Sequence, residues 1–147
     1  MSQSTETILD YDRSVGTEDR FAVRRFLDAF VLSINKGDFA LCKTMLSDAV
    51  TIEGFSDFVM LKENFVGMLE RKFKGQKNSF VRFPKLQLSY SRFMFSLSGT
   101  YEEFIDGIIV TEGTIELKLV KSDEKFLFAK IRFYPRMIMR DFLEQVS

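Results

Sequence analysis

Two carboxylates close to the end of a short apolar segment are the side chains best placed to do acid–base chemistry. Glu53 directly follows Val50 and Ile52, and Asp57 comes three residues after Gly54. A carboxylate in a site that excludes water can hold or transfer a proton near neutral pH. The alternative is structural: Asp57 caps a helix and Glu53 is a solvated edge residue. Both interpretations stay open at this stage.

Other catalytic chemistries have few candidates in this chain. It contains no histidine, so the most common proton-transfer residue and the most common metal ligand are both missing. The single cysteine, Cys42, lies among Leu41, Met45 and Leu46, which favours a buried and inert thiol. No group of residues has metal-ligand spacing, and we expect no metal and no cofactor.

Composition limits the class of protein. The 147 residues are 46% hydrophobic and 29% charged with zero formal net charge, as in an ordinary globular domain. A neutral chain does not attract phosphate backbones, so we expect no nucleic-acid partner. The first six residues do not resemble a signal peptide, and no run approaches the roughly 18 apolar residues of a membrane span. We therefore expect a cytoplasmic protein that does not bind membranes.

The first half of the chain has helical periodicity. Residues 1–16 are polar and aperiodic, which predicts a flexible N-terminal arm before a single domain over residues 17–147. A helix is predicted from Thr17 to Gly37, a short second helix after Asp38, and a strand over 49–53. A third helix is predicted from Ser56 or Asp57 to about Lys74. Its apolar stripe comprises Phe58, Leu61, Phe65, Met68, Leu69 and Phe73.

The second half changes to a period of two. Four alternating segments follow one another, separated by the turn signals Asp106-Gly107 and Ser122-Asp123, which predicts an antiparallel meander. Gly99 and Gly113 lie inside strands and predict bends that curl the sheet. Pro135 ends the last strand, and a short helix is predicted over 136–146.

Three helices followed by a curled sheet predict an α+β roll. The helices must cover the concave face of the sheet, and such rolls commonly leave a cavity at the open end. The 17 phenylalanines suggest that aromatic rings line it. Tyr90 and Tyr101 could place hydroxyl groups in the pocket, or could be core aromatics with hydroxyls at the rim. The predicted lining residues are Phe26, Phe30, Phe58, Leu61, Phe65, Tyr90, Phe95, Tyr101, Ile115 and Leu117.

Several segments resemble the nuclear transport factor 2-like superfamily, which includes ketosteroid isomerases and SnoaL-like cyclases. They are residues 26–30 and 35–39, then 45–53, and near the end 113–121 and 126–131, in the same order and spacing as in that superfamily. The resemblance covers roughly residues 17–135. It implies a cone-shaped, cystatin-like roll with three N-terminal helices in the concave face of a mainly antiparallel sheet. It also implies an internal pocket and a homodimer formed through the sheet.

The catalytic residues of these enzymes do not carry over to this chain. The tyrosine of the ketosteroid isomerases falls on Phe30 and their base aspartate on Gly54. Their protonated aspartate falls on Ile115 or Glu116, depending on the alignment. Relatives resembling scytalone dehydratase depend on histidine, and the arginine and aspartate pattern of limonene-epoxide hydrolases is also missing.

Three functions remain open. The first is binding of a small apolar molecule in the internal pocket without catalysis. The second is an isomerase, cyclase or hydratase that uses Glu53, Asp57 or a tyrosine. The third is a protein-interaction or dimerisation module, to which the basic run 71–85 and the acidic run 102–116 could contribute. An interior packed solid with side chains would overturn the first, and a closed cavity filled by phenylalanine rings would overturn both the first and the second.

Overall fold

The computed structural model describes residues 6–73 and 78–136, which form three helices and seven strands. In chain order these are β1 (Ile8–Tyr11), α1 (Thr17–Asn35), α2 (Phe39–Thr44), β2 (Leu46–Glu53), α3 (Lys62–Phe73), β3 (Ser79–Arg82), β4 (Lys85–Ser91), β5 (Met94–Ile105), β6 (Ile108–Ser122) and β7 (Lys125–Pro135).

One mixed, mainly antiparallel sheet contains these strands in the order β1-β4-β5-β6-β7-β2. The strands β4 to β7 form the predicted meander, and β3 pairs with the later part of β5, beyond the end of β4. Asp106 and Gly107 both have positive φ, as a tight hairpin turn requires, and they connect β5 to β6. The edge strands β1 and β2 pair parallel to β4 and β7.

The core lies between the helices and one face of the sheet. Alternate residues of β4 to β7 point to that face, and Leu88, Leu97 and Leu117 are almost completely buried there. From α1, Leu27, Phe30 and other residues at helical spacing pack against them. The predicted α+β roll, with its helices on one face of the sheet, is confirmed.

The two strand glycines allow close approach of the backbone. A Cβ atom at Gly99 would lie 1.9 Å from the carbonyl oxygen of Lys85 in β4, and one at Gly113 would lie 2.1 Å from that of Tyr134 in β7. Any side chain would force the strands apart, so glycine is needed at both positions.

The prediction of a flexible arm over residues 1–16 is wrong for the part that the structure describes. Residues 8–11 form β1, which adds a parallel strand to β4, with Ile8 opposite Lys85 and Tyr11 opposite Leu88. The sequence did not show this, because β1 is short and exposed and gains its stability from the open edge of β4.

The third helix begins later than predicted, at Lys62 rather than at Ser56 or Asp57. Met60 and Ile52 instead exchange two backbone hydrogen bonds of 2.9 and 2.8 Å. The Ser56 hydroxyl accepts a hydrogen bond from the Phe58 amide and donates one to the Phe58 carbonyl. Such local serine contacts compete with helix formation, so residues 54–61 form a loop.

The helix predicted over 136–146 lies outside the described residues, apart from Arg136. Among the residues that the structure describes, no helix is long and apolar enough to span a membrane.

Candidate functional site in the interior of the roll

The interior of the roll is lined by aromatic and aliphatic side chains from both layers. α1 and α3 supply one side and the sheet supplies the other. The lining residues are Phe30, Ile34, Phe55, Phe65, Leu69, Phe83, Tyr101, Ile115, Leu117 and Ile131. This is the apolar wall that the alternating strands and helical stripes predicted, and nearly all of it is inaccessible to solvent.

The space between these side chains is very small. Its volume is about 10 Å³, which is room for about one water molecule. In the described part of the chain the side chains themselves fill the interior, so the open pocket predicted from the curled sheet is not seen there. Ligand-binding pockets are usually some 300 to 1,000 Å³, so a ligand could enter only if a side chain moved out.

Phe55 is the lining residue that comes from a loop rather than from a strand, a helix or the short β3–β4 connection. It lies in the loop 54–61 and is partly exposed. Its ring stacks on Phe133 with centroids 4.8 Å apart and meets Tyr101 edge-on at 5.7 Å. A third contact joins it to Phe65 on α3, also at 5.7 Å. The Phe55 ring therefore closes the interior at the end where the loop crosses it.

The backbone of Gly54 determines where the Phe55 loop begins. Gly54 has φ of +97°, which favours glycine, and a Cβ atom there would lie 1.8 Å from the carbonyl oxygen of Phe133 in β7. The chain can therefore turn directly over the end of β7 only because residue 54 has no side chain. This turn brings the ring of Phe55 onto the ring of Phe133.

A buried polar cluster lies beside the aromatic interior. The Tyr101 hydroxyl donates a hydrogen bond of 2.6 Å to Oε1 of Glu103, which is completely buried. The other carboxylate oxygen, Oε2, lies 2.6 Å from Nζ of Lys72, whose side chain is 33% exposed. Tyr101 and Glu103 are two residues apart on β5, so both point to the inner face, and Lys72 comes from the last turn of α3.

This cluster fixes the direction in which the tyrosine hydroxyl points its proton. Burial, and then the charge and hydrogen bond of Glu103, raise the pKa of Tyr101 well above its usual value of 10. The phenol is therefore neutral near pH 7, and its proton points at the carboxylate. What the cluster offers to a neighbouring molecule is the phenolic oxygen as a hydrogen-bond acceptor.

The structure places the ten predicted pocket residues in three locations. Phe30, Phe65, Tyr101, Ile115 and Leu117 line the interior space. Phe26, Tyr90 and Phe95 pack with Phe126 and Phe128 in another part of the same core, and Phe128 joins this group to Phe30 with centroids 4.5 Å apart. The remaining two, Phe58 and Leu61, do not reach the interior.

The predicted positions of Phe58 and Leu61 are wrong. Phe58 is 79% exposed and Leu61 is 55% exposed, because the chain from 54 to 61 is a loop and not the start of α3. The helical spacing that joined them to Phe65 therefore does not apply. Phe55, which the sequence analysis did not select, occupies the position at the interior instead.

The two candidate acid–base residues lie outside the interior. Glu53 pairs with Arg132 of the neighbouring strand β7, with 3.3 Å between Oε2 and Nε. Asp57 is exposed on the loop. The structural alternatives fit these positions better than catalysis does, although Asp57 is a loop residue and not a helix cap.

Two residues of the polar cluster were missed by sequence reasoning. Glu103 continues the alternation of Leu97, Gly99 and Tyr101 along β5. Since alternate residues of a strand point to the same face, this spacing alone would have placed Glu103 on the inner face. Lys72 comes seven residues after Phe65 and three after Leu69, so helical spacing places it on the apolar face of α3, but nothing in the sequence indicates that it reaches Glu103. In the described part of the chain, no group of three or more potential metal ligands lies together.

An open cleft lies on the outer side of the sheet and not in the interior. Its volume is about 630 Å³. Its lining contains the charged residues Arg82, Glu102, Glu112 and Arg136 together with Pro84, Thr100, Tyr101, Gly113, Thr114, Tyr134 and Pro135. Arg82 and Glu102 form an ion pair of 2.7 Å within it.

Solved structures with the same arrangement of elements identify the fold. A protein of unknown function with a cystatin-like fold from Nostoc punctiforme superposes with a TM-score of 0.70, at 9% identity, over 84% of this chain and 95% of its own. An NTF-2 like protein of unknown function from Shewanella oneidensis has a TM-score of 0.65, at 10% identity, over 77% and 96%. The chain has the cystatin-like fold of the nuclear transport factor 2-like proteins.

A third similar structure is a putative scytalone dehydratase from Novosphingobium aromaticivorans. It has a TM-score of 0.71 at 10% identity, over 82% of this chain and 85% of its own. No model of a known protein family and no curated protein sequence matches the chain. At these identities the neighbours establish the fold alone, because one fold can carry many functions.

Proposed function

We propose that this protein binds a small aromatic molecule in the interior of the roll, without catalysis, after the Phe55 side chain moves out. The supporting observation is the origin of the lining residues. Phe55 belongs to a loop, and the next five positions in that loop are exposed apart from the buried Met60. Moving this one ring would open the interior without breaking a helix or a strand.

The contacts of Phe55 indicate the class of ligand. Its ring is stacked on Phe133 and stands edge-on to Tyr101, with interplanar angles of 18° and 88°. Both are favoured geometries for aromatic pairs. A planar aromatic ring in the same place would recover the contacts that Phe55 gives up, whereas a branched aliphatic molecule would not.

The affinity for a ligand should be weakened because the interior is closed in most molecules. If the open form is populated at about 1%, the apparent dissociation constant is about 100-fold weaker than that of an always-open pocket. Removing the Phe55 ring would remove this cost. Affinity should therefore rise when residue 55 is small.

Enzymatic function has less support from the same geometry. Glu53 and Asp57, the carboxylates proposed from the sequence, lie away from the interior. The buried carboxylate, Glu103, already contacts both Lys72 and Tyr101. The chain also lacks the histidine on which scytalone dehydratases depend.

The proposal predicts saturable binding of a simple aromatic probe by the unmodified protein. Para-fluorotoluene is suitable, since it has the size of a phenylalanine side chain and its fluorine NMR signal reports binding directly. We expect binding below about 1 mM by the unmodified chain and about 10- to 100-fold tighter binding by Phe55→Ala. Phe58→Ala, on the same loop but exposed, is the matched control and should bind like the unmodified chain.

A second variant tests the location. Ile115→Phe adds volume to the wall opposite the helices and should abolish binding. If Phe55→Ala binds the probe but the unmodified chain does not, Phe55 is an ordinary core residue and the proposed function is wrong.

A further inference from the structure

We propose that the aromatic ligand carries a hydroxyl or another hydrogen-bond donor, and that the phenolic oxygen of Tyr101 accepts its proton. This inference rests on the proposed function and narrows the ligand to phenol-like molecules. It depends on how the polar cluster of Tyr101, Glu103 and Lys72 is arranged beside the interior.

The hydroxyl hydrogen of Tyr101 already takes part in a hydrogen bond within the polar cluster. A phenol has one hydrogen to donate, and Tyr101 donates it to Oε1 of Glu103, with 2.6 Å between the two oxygens. Lys72 Nζ lies 2.6 Å from Oε2, so each oxygen of Glu103 already faces a hydrogen-bond donor. Tyr101 cannot offer the same proton to a ligand without leaving a buried carboxylate oxygen without its partner, which is costly.

Among residues 6–73 and 78–136, the phenolic oxygen of Tyr101 donates its hydrogen to Glu103 and accepts no hydrogen bond. Tyr101 is only 5% exposed, so solvent has little access to supply one. A hydrogen bond accepted from a ligand would satisfy this oxygen, and the neighbouring carboxylate makes the oxygen more electron-rich and the bond stronger.

The position of the hydroxyl fits a ligand that replaces Phe55. Tyr101 lines the interior space, and its ring centroid lies 5.7 Å from that of Phe55. A ring in the place of Phe55 would therefore have its substituents within a few ångströms of the Tyr101 side chain. A donor on that ring gains a partner, while a substituent that can only accept would face the lone pairs of Tyr101.

The test compares two probes of similar size, para-cresol and para-fluorotoluene, in competition by fluorine NMR. The unmodified protein should bind para-cresol about five- to tenfold more tightly, as expected for one buried hydrogen bond. Tyr101→Phe should abolish this preference, so that the ratio of the two dissociation constants falls to about one. Tyr90→Phe, which removes the hydroxyl of a tyrosine away from the interior space, should keep the preference.

The outcomes separate this inference from the proposed function. If neither probe binds, the proposed function fails. If both bind the unmodified protein equally, aromatic binding stands and the role of Tyr101 is wrong. A preference that survives in Tyr101→Phe also overturns it. Should Tyr101→Phe fail to fold, para-methylanisole replaces it as the test. Its oxygen can only accept, so binding as tight as that of para-cresol overturns the inference and binding no tighter than that of para-fluorotoluene supports it.

Discussion

Glu103 is the side chain whose burial most needs an explanation. A completely buried carboxylate loses its hydration, and its attraction to Lys72 offsets only part of that cost. Replacing a buried ion pair by well-packed apolar residues of similar volume often costs little stability. Orienting the Tyr101 proton is a role that apolar residues could not fill, which agrees with the hydrogen bond of 2.6 Å between Tyr101 and Glu103.

Removing Lys72 should therefore destabilise the protein strongly. We expect Lys72→Met to lower the free energy of unfolding by about 3 kcal/mol, because it leaves a buried carboxylate without its cation. The double variant Lys72→Met, Glu103→Leu should recover much of this loss. Lys62→Met is the control, since Lys62 pairs with the fully exposed Asp48 and should cost less than about 1 kcal/mol. Equal losses in the two lysine variants in urea unfolding would contradict this interpretation of Glu103.

Cys42 predicts how stability changes at high pH. Burial raises the pKa of this thiol to about 12 from its usual 9.0, the largest of its causes being loss of hydration. At a pH between 9.0 and about 12, the thiol is ionised in the unfolded chain and neutral in the folded chain. The free energy of unfolding should therefore fall by up to about 1.4 kcal/mol per pH unit as the pH rises above 9.

The variant Cys42→Ala isolates this contribution. It lowers stability at every pH because it leaves a cavity, but its free energy of unfolding should fall less steeply between pH 9 and 10. Urea unfolding at a series of pH values gives both slopes. Above pH 10 the raised pKa of Tyr101 lowers the free energy of unfolding as well. The two proteins are therefore compared below pH 10. Identical slopes in the two proteins would show that the thiol is not buried in solution.

At the scale of elements, the free edge of β3 is closed by one side chain of α1. The Asn35 side-chain amide donates to the Val81 carbonyl at 3.1 Å and accepts from the Val81 amide at 2.7 Å. These are the two hydrogen bonds that a neighbouring strand would make. The end of α1 is thereby attached to the sheet next to Phe83, which lines the interior.

Asn35→Ala should lower the free energy of unfolding by about 2 kcal/mol, since two part-buried backbone groups of Val81 lose their partners. Asn35→Asp keeps the acceptor for the Val81 amide but places a carboxylate oxygen against the Val81 carbonyl, so it should also be less stable than the unmodified protein. Urea unfolding gives the three values. A loss below about 0.5 kcal/mol for Asn35→Ala would mean that water replaces the side chain.

Local sequence patterns predicted most elements, but not all of them. Helix α1 and the strands β5 to β7 have long, regular periodicities, and their predicted positions are confirmed. The strand β1 and the loop 54–61 were missed, because each is determined by a neighbour distant in sequence. The open edge of β4 pairs with β1, and the backbone of Ile52 pairs with Met60.

At the scale of the whole molecule, the fold brings together groups from three distant parts of the chain. Phe55 comes from a loop after β2, Lys72 from α3, and Tyr101 with Glu103 from β5. Closing the sheet over the helices makes them neighbours. Dimerisation through the outer face of the sheet stays a prediction; that face is polar and contains the cleft between Arg82 and Glu112.

The sequence by itself determined the fold, because alternation and helical spacing specify which face of each element is buried, and buried faces can pack in few ways. The sequence also predicted five of the residues that line the interior, namely Phe30, Phe65, Tyr101, Ile115 and Leu117. Only the tertiary structure decided that the interior is closed, because a cavity is the small difference between the volume enclosed and the volume of side chains within it. The pairing of Lys72 with Glu103 was likewise decided by the distance between two elements, which no local pattern contains.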